Sequence, residues 1–350
     1  MIKRIERIRN IINSINADGI IVYSPENRRY LSGFTGSTGF VIISKKEMGF
    51  VTDFRYTKQA GIECPDFEIV ENKTPLEDYL SDMIKKLAYE DSFMTVNFYN
   101  KLKNKLNDID FIPLKEAEGS IRIVKDQEEL KYIKKAAEIA DKAFEHILDY
   151  IKPGITESDI ALELEFFMKN NGASKLSFDS IVASGWRSSL PHGVATDKII
   201  KSGDLLTMDY GCIYNGYCSD MTRTIVIGKA SDEQKKIYNI VLKAQTEALA
   251  HIKAGVLGKD VDKIARDIIH NAGYGNYFGH GLGHGVGLAI HEEPRLSLIG
   301  ETALEINMVV TNEPGIYIPD FGGVRIEDLV VVGQDGPIVY SKSTKEIIEL

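Results

Sequence analysis

Along the first third of the chain, short uninterrupted apolar runs alternate with segments whose apolar positions recur every three or four residues. GIIVYS (19–24), FVIIS (40–44), MGFVTD (48–53), FEIV (67–70) and FMTVNF (93–98) are rich in β-branched and aromatic residues and predict strands. IERIRNIINSI (5–15), PLEDYLSDMIKKLA (75–88) and YNKLKNKLN (99–107) predict helices. The alternation describes an α/β domain that closes with FIPLK near residue 115. EAEGSIRIVKD (116–126) breaks the pattern, so the expected division is a domain over 1–120 and a second over 126–350.

The second domain opens with an amphipathic helix from about Asp126 to Tyr150, whose stripe is Leu130, Ile133, Ala137, Ala140, Phe144 and Ile147. Lys152-Pro-Gly154 stops it. Thr156-Glu-Ser-Asp159 then reads as the capped start of a second helix that ends at Gly172. The same events recur further along: Ser231-Asp-Glu-Gln234 opens a helix, Lys253-Ala-Gly255 stops it, and another helix runs to Gly273. A shift of 101 residues superposes Lys152, Gly154, Asp159, Asn170 and Gly172 on Lys253, Gly255, Asp260, Asn271 and Gly273. Each half proceeds to a strand pair, so the expected class is α+β, with a duplicated helix–helix–strand-pair unit.

Composition narrows the function classes. The 350 residues carry a formal charge of −9, which opposes nucleic-acid binding through bulk charge. No apolar run approaches the roughly 18 residues that span a bilayer, so no membrane partner is expected. The opening MIKRIERIRNIINSI lacks the continuous apolar core and cleavage site of a secretory signal. Glu6 and the run into GIIVYS favour a plain first helix over a mitochondrial presequence. Cys64, Cys212 and Cys218 form no CxxC pair and are too few for a disulfide scaffold, so a cytoplasmic location is expected.

Chemistry gathers in the strand pairs. In LLTMDYGCIYNGYCSDMTRTIVIG (205–228), Asn215-Gly216 signals a two-residue turn. With that turn, Tyr214 faces Tyr217, Asp209 faces Thr222, and Asp220 lies diagonal to Asp209 on one face. The two carboxylates are then either within reach of a common ion or on a solvent-facing strand pair. In MVVTNEPGIYIPDFGGVRIEDLVVV (308–332), Glu313 and Glu327 flank the turn material PDFGG, whose uncertain loop length leaves their parity open. Both adjoin apolar runs, where a buried carboxylate without a cation is costly.

Between them lies GHGLGHGVG (279–287). No frame of it supplies GxGxxG and no GK[ST] follows, so a phosphate-cradling loop fails. Alternating glycines oppose a helix, leaving an extended, closely approached backbone that presents His280 and His284. His291 follows in IHEEPR, and His192 sits in SGWRSSLPHG. A single histidine is more often structural than a ligand, so these four need a wider context.

That context is a resemblance. Asp209, Asp220, His284, Glu313 and Glu327, in the motifs MDYG, SDMTRT, GHGLGHGVG, NEPG and RIED and with PHG around His192, closely resemble the metallopeptidases of the pita-bread fold. Within these the set is most similar to the branch of Xaa-Pro dipeptidases (prolidases) and aminopeptidases P. Methionine aminopeptidases share the five ligands and the HEEP stretch but usually lack a preceding α/β domain, which here is creatinase-like. The resemblance therefore spans the whole chain.

It implies a dinuclear-metal peptidase that hydrolyses Xaa-Pro dipeptides through a metal-bridging hydroxide. The ligands would be Asp209, Asp220, His284, Glu313 and Glu327, with Asp220 and Glu327 bridging. Four carboxylates and an imidazole, with no thiolate, suit two divalent ions per subunit, Mn²⁺ first and Co²⁺ or Zn²⁺ admissible. Glu313 would also shuttle a proton, and His192, His280 and His291 would surround the tetrahedral oxyanion and the substrate. Arg325 would orient a ligand carboxylate or serve as a structural salt bridge. Arg295 and Tyr210 would meet the substrate carboxylate, and the subunits would form a homodimer. The alternatives are an aminopeptidase P acting on longer Xaa-Pro peptides, or a non-catalytic binding module, whose mark would be erosion of the ligand set. None of the five ligands is replaced.

Overall fold

The computed structural model describes residues 2–73, 80 and 84–350, and the chain divides into two compact units, Met1–Arg122 and Ile123–Leu350. Within the described residues the first unit carries a six-stranded mixed sheet. Its strands are β1 (Gly19–Val22), β2 (Phe40–Ser44), β3 (Met48–Thr52), β4 (Glu68–Glu71), β5 (Lys86–Tyr89) and β6 (Asp110–Pro113), in the order β4-β3-β2-β1-β5-β6. Helices α1 (Ile2–Ser14), α2 (Pro25–Ser32), α3 (Thr57–Glu63) and α4 (Val96–Lys105) belong to this unit. Ile5, Ile8 and Ile12 of α1 are buried, as the three-and-four spacing requires.

Two expectations need correction here. FMTVNF is not a strand: the Thr95 hydroxyl accepts from the Phe98 backbone N–H, and this cap starts α4 at Val96. The end of PLEDYLSDMIKKLA is not helical either, because Lys86–Tyr89 pairs in parallel with both β1 and β6. The earlier part of that segment lies largely outside the described residues. The short α2 and α3 were not foreseen, although Ser24 and Pro25 form an ordinary helix start.

In the second unit α5 (Gln127–Tyr150) and α6 (Glu157–Asn170) are capped by Asp126 and Thr156, and α7 (Asp232–His251) by Ser231, each in a reciprocal capping box. The whole predicted stripe of α5 is buried. Moving α6 along by 101 residues gives the bounds of α8 (Gly258–Asn271). Gly154 and Gly255 share a left-handed backbone, as do Gly172 and Gly273. Thr156 and Leu257, also 101 apart, each form an isolated bridge, to Ile199 and Ala303. The duplication is therefore structural.

The strands of this unit are β7 (Lys175–Leu176), β8 (Ile181–Ser184), β9 (Leu205–Tyr210), β10 (Cys212–Tyr214), β11 (Tyr217–Cys218), β12 (Met221–Val226), β13 (Gly283–Gly285), β14 (Glu292–Leu296), β15 (Val309–Asn312), β16 (Gly315–Ile318), β17 (Gly322–Arg325), β18 (Asp328–Val332) and β19 (Pro337–Val339). The described sheets are β12-β9-β8, β11-β10-β7, β14-β13-β15-β18-β19 and β16-β17. Each half has its own core. α5 and α6 pack on Met208, Tyr210, Met221 and Ile225, while α7 and α8 pack on Val310, Ile316, Val324, Val330 and Val332. Strand alternation then sends the intervening positions, including Asp209 and Thr222, to the opposite face.

Candidate metal centre

The predicted hairpin register is the observed one. Tyr214 pairs with Tyr217 around Asn215-Gly216, and Asp209 pairs with Thr222 across β9 and β12. Asp220, two residues before Thr222, comes to the same face. The open parity of the second strand pair is also settled. Asn312 pairs with Asp328 and Gly315 with Arg325, so one register runs through both β15/β18 and β16/β17 and sets Glu313 opposite Glu327 in the gap between them. Asp209, Asp220 and Glu327 each bring a carboxylate oxygen within 4.8 Å of the others, and all three are buried.

His284 completes the group from β13. Its Nδ1 donates to the Gly285 carbonyl at 3.0 Å, which turns Nε2 toward Glu313 Oε1 at 3.3 Å and Asp220 Oδ2 at 3.6 Å. Such an approach needs the glycines around it. A Cβ on Gly283 would lie 2.1 Å from the Thr311 carbonyl oxygen, and one on Gly285 would lie 2.2 Å from that of Glu293. The alternating glycines thus let β13 slide between β14 and β15.

The electrostatics are those of a cation site. Burial, then repulsion from Glu327, Asp209 and Glu313, pushes Asp220 well above the usual carboxylate range. Burial and the charges of Glu313 and Asp209 do the same to Glu327. Burial also raises Asp209, against the opposing pull of Arg325. Burial works on Glu313 as well, but the hydrogen bond and charge of His284 outweigh it and draw Glu313 down to about 2. His284 is raised in turn: its burial acts downward, and Glu313 overcomes it. Among the described residues, Oδ1 of Asp209 and Oε1 of Glu327 are buried without a hydrogen-bond partner. Orphaned carboxylate oxygens beside repelling neighbours are the arrangement that divalent cations relieve, and an oxygen-rich set with one imidazole fits them.

Arg325 sits beneath the cluster, 3% exposed, with Nη2 on Asp209 Oδ2 at 2.6 Å, Nε on Thr222 Oγ1 at 3.0 Å and Nη1 on the Tyr317 hydroxyl at 2.8 Å. It is both an ion-pair partner and the group that orients Asp209. Thr222 in turn donates to Glu327 Oε2 at 2.7 Å, and Thr311 donates to Glu313 Oε1 at 3.0 Å. His280 donates from Nδ1 to the Gly281 carbonyl and accepts from Tyr317 at Nε2, both at 2.8 Å. Both ring nitrogens are engaged, so in this arrangement His280 orders Tyr317 and Arg325 and presents no free nitrogen to an oxyanion. Tyr317, Thr222 and Thr311 were missed as functional positions. Thr222 was legible from the hairpin register; Tyr317 required the loop length that sequence left open.

The remaining expected residues divide. The His291 ring lies edge-on to His284, with centroids 4.4 Å apart, and is exposed. Exposed His192 is near enough for its charge to act on both His280 and His291. Arg295 pairs directly with His284 across β13 and β14, on the same face, and its exposed guanidinium bonds Glu293 Oε1 at 3.3 Å. Tyr210 is a correction. It is fully buried on the face of β9 opposite Asp209, and its hydroxyl donates to the Ala140 carbonyl at 3.2 Å, so it meets no substrate. Strand alternation, which brings Asp209 to the cluster, takes its neighbour away.

Residues 131–334 match metallopeptidase family M24, and residues 4–124 match the creatinase/prolidase N-terminal domain. The chain is 41% identical over 351 residues to an Xaa-Pro dipeptidase of Pyrococcus horikoshii, covering 99% of each. Among solved structures, an Xaa-Pro dipeptidase from Bacillus anthracis is 48% identical with a TM-score of 0.96, over 100% of this chain and 99% of that one. An X-Pro aminopeptidase from Thermotoga maritima is 39% identical with a TM-score of 0.90, over 97% of this chain and 100% of that one. With the fold, the carboxylate cluster and both family matches in agreement, the chain belongs to metallopeptidase family M24 and is a peptidase of the divalent-metal type.

Proposed function

We propose that this peptidase hydrolyses the Xaa-Pro bond of dipeptides, with two Mn²⁺ ions held by Asp209, Asp220, His284, Glu313 and Glu327. The observation that carries the reading is the meeting of Asp209, Asp220 and Glu327 within 4.8 Å, with His284 and Glu313 beside them. Ions bound there supply a water acidified toward neutrality and polarise the scissile carbonyl. Glu313 takes a proton on its carboxylate and passes it to the departing proline nitrogen. Arg325 and Thr222 keep Asp209 and Glu327 aimed during turnover. Exposed His192 and His291 flank the substrate, and Arg295 receives its free carboxylate.

Support for a dipeptide substrate comes from relatives named as Xaa-Pro dipeptidases at 41% and 48% identity. The second reading is an Xaa-Pro aminopeptidase acting on longer peptides, favoured by the full-length likeness to the Thermotoga maritima structure. We read the protein as a homodimer of the cytoplasm, where its three buried free cysteines would stay reduced. Among the described residues no helix is long and apolar enough to cross a membrane.

The test is hydrolysis of Leu-Pro against Leu-Pro-Pro-type peptides after chelation and after return of Mn²⁺. Chelation should abolish turnover, Mn²⁺ should restore it, and Leu-Pro should be preferred. His284→Ala should lose both metal and turnover. Undiminished cleavage by that variant would refute the assignment, and preference for the longer peptide would establish the second reading.

A further inference from the structure

Arg223 of the SDMTRT motif is a buried charge that the proposed chemistry does not use. Arg223 is 1% exposed, yet each guanidinium N–H has an acceptor. Nε donates to the Thr344 carbonyl at 2.9 Å, and Nη2 to the Ser343 carbonyl at 2.8 Å and to Asp328 Oδ1 at 2.9 Å. Nη1 donates to the Thr222 carbonyl at 2.9 Å and to that of Glu327. One planar group therefore joins the backbone of Glu327 to a segment that runs past residue 334, beyond the part matched to the peptidase family.

That segment is held independently. Asp141 on α5 accepts from the backbone N–H groups of Lys342 and Ser343 and from the Ser343 hydroxyl, at 2.6–2.9 Å. Lys345 Nζ bonds Asp328 Oδ2 at 2.6 Å, and the Tyr238 hydroxyl donates to the Lys345 carbonyl. Residues 348–350 exchange backbone hydrogen bonds with Val226 and Gly228 beside the end of β12. The same hub reaches the other glutamate: Gln245 donates to Asp328 Oδ2 at 2.8 Å, and its carbonyl accepts from Asn312, next to Glu313. Of the five acceptors used by Arg223, two are thus the backbone carbonyls of Thr222 and Glu327, a third is the carboxylate of Asp328, next to Glu327, and the other two are the carbonyls of Ser343 and Thr344 in that segment.

We infer that Arg223 is a positioning residue for Glu327 and that the strap 341–350, anchored by Asp141, fixes Arg223 in turn. The inference rests on the metal-centre reading above and adds a control of ligand placement to it. A buried ion pair serving stability alone would change the melting temperature and leave metal affinity where it was. A fork that sets ligand placement changes affinity, because a carboxylate held off its position coordinates less well. Lysine cannot reproduce the planar five-donor geometry.

The experiment titrates Co²⁺ into chelated full-length wild type, Arg223→Lys and Asp141→Ala, reading the visible absorption band and the calorimetric affinity. kcat and KM for Leu-Pro are measured alongside. Arg223→Lys should weaken Co²⁺ binding roughly 10- to 100-fold and lower kcat with KM unchanged. Asp141→Ala, remote from the ligands, should shift both in the same direction by less. It decides the matter alone if Arg223→Lys fails to fold. A folded variant with wild-type Co²⁺ affinity and kcat, changed only in melting temperature, overturns the inference. Wild-type protein that binds Co²⁺ but leaves Leu-Pro intact overturns the substrate assignment instead, and the titration still decides the role of Arg223.

Discussion

Arg325 holds one oxygen of Asp209, Oδ2, at 2.6 Å and leaves the other, Oδ1, buried without a hydrogen-bond partner among the described residues. The guanidinium thereby fixes the direction in which the free oxygen points. Arg325→Lys keeps a charge but cannot serve Asp209, Thr222 and Tyr317 together. It should lower kcat roughly 10- to 100-fold and weaken metal binding by a similar factor, as seen for partners that orient ligands. Wild-type metal affinity in a folded variant would reduce Arg325 to a plain structural ion pair.

The carboxylate cluster sets a pH signature in the metal-free protein. Folding raises Asp209, Asp220 and Glu327 above the ordinary carboxylate value of about 4. Their contribution to stability is therefore full below that value and is lost as pH rises through the raised values. Glu313 runs the other way: drawn down to about 2, its contribution is present above the ordinary value and fades only as pH falls toward 2. Chelated protein should melt at progressively lower temperature as pH rises above about 4, and the increment conferred by Mn²⁺ should widen over the same range. An increment that stays constant with pH would contradict this coupling.

Tyr210 offers a control on the geometry. Tyr210→Phe removes a buried hydroxyl that bonds the Ala140 carbonyl, on the face away from the cluster. Denaturant unfolding should show a loss of about 1 kcal/mol. Kinetics with Leu-Pro should be unchanged, and a selective rise in KM would return Tyr210 to the substrate.

Two glycines of one motif should behave oppositely. Gly283→Ala drives a methyl group to 2.1 Å from the Thr311 carbonyl oxygen, so β13 must move away from β15 and carry His284 with it. Activity and melting temperature should both fall sharply. Gly279→Ala meets no atom of the described residues within 4 Å and should leave both nearly intact. Equal tolerance at the two positions would remove close approach as the reason for the alternation.

Local patterns were sufficient for a large part of this protein. The caps at Asp126, Thr156 and Ser231, the stripe of α5 and the turn at Asn215-Gly216 depend on residues a few positions apart, so sequence carries them directly. The pairing of Asp209 with Thr222 followed from that turn, because a two-residue loop fixes the register. FMTVNF misled because β-branched content outweighed the cap at Thr95, and the strand Lys86–Tyr89 was hidden because parallel pairing leaves no local turn signal. Tertiary structure alone decided what lies opposite what: Glu313 against Glu327, Tyr317 between His280 and Arg325, and Arg223 between Glu327 and the strap. Those relations join segments up to more than a hundred residues apart, and their geometry depends on loop lengths and packing that no short window of sequence contains.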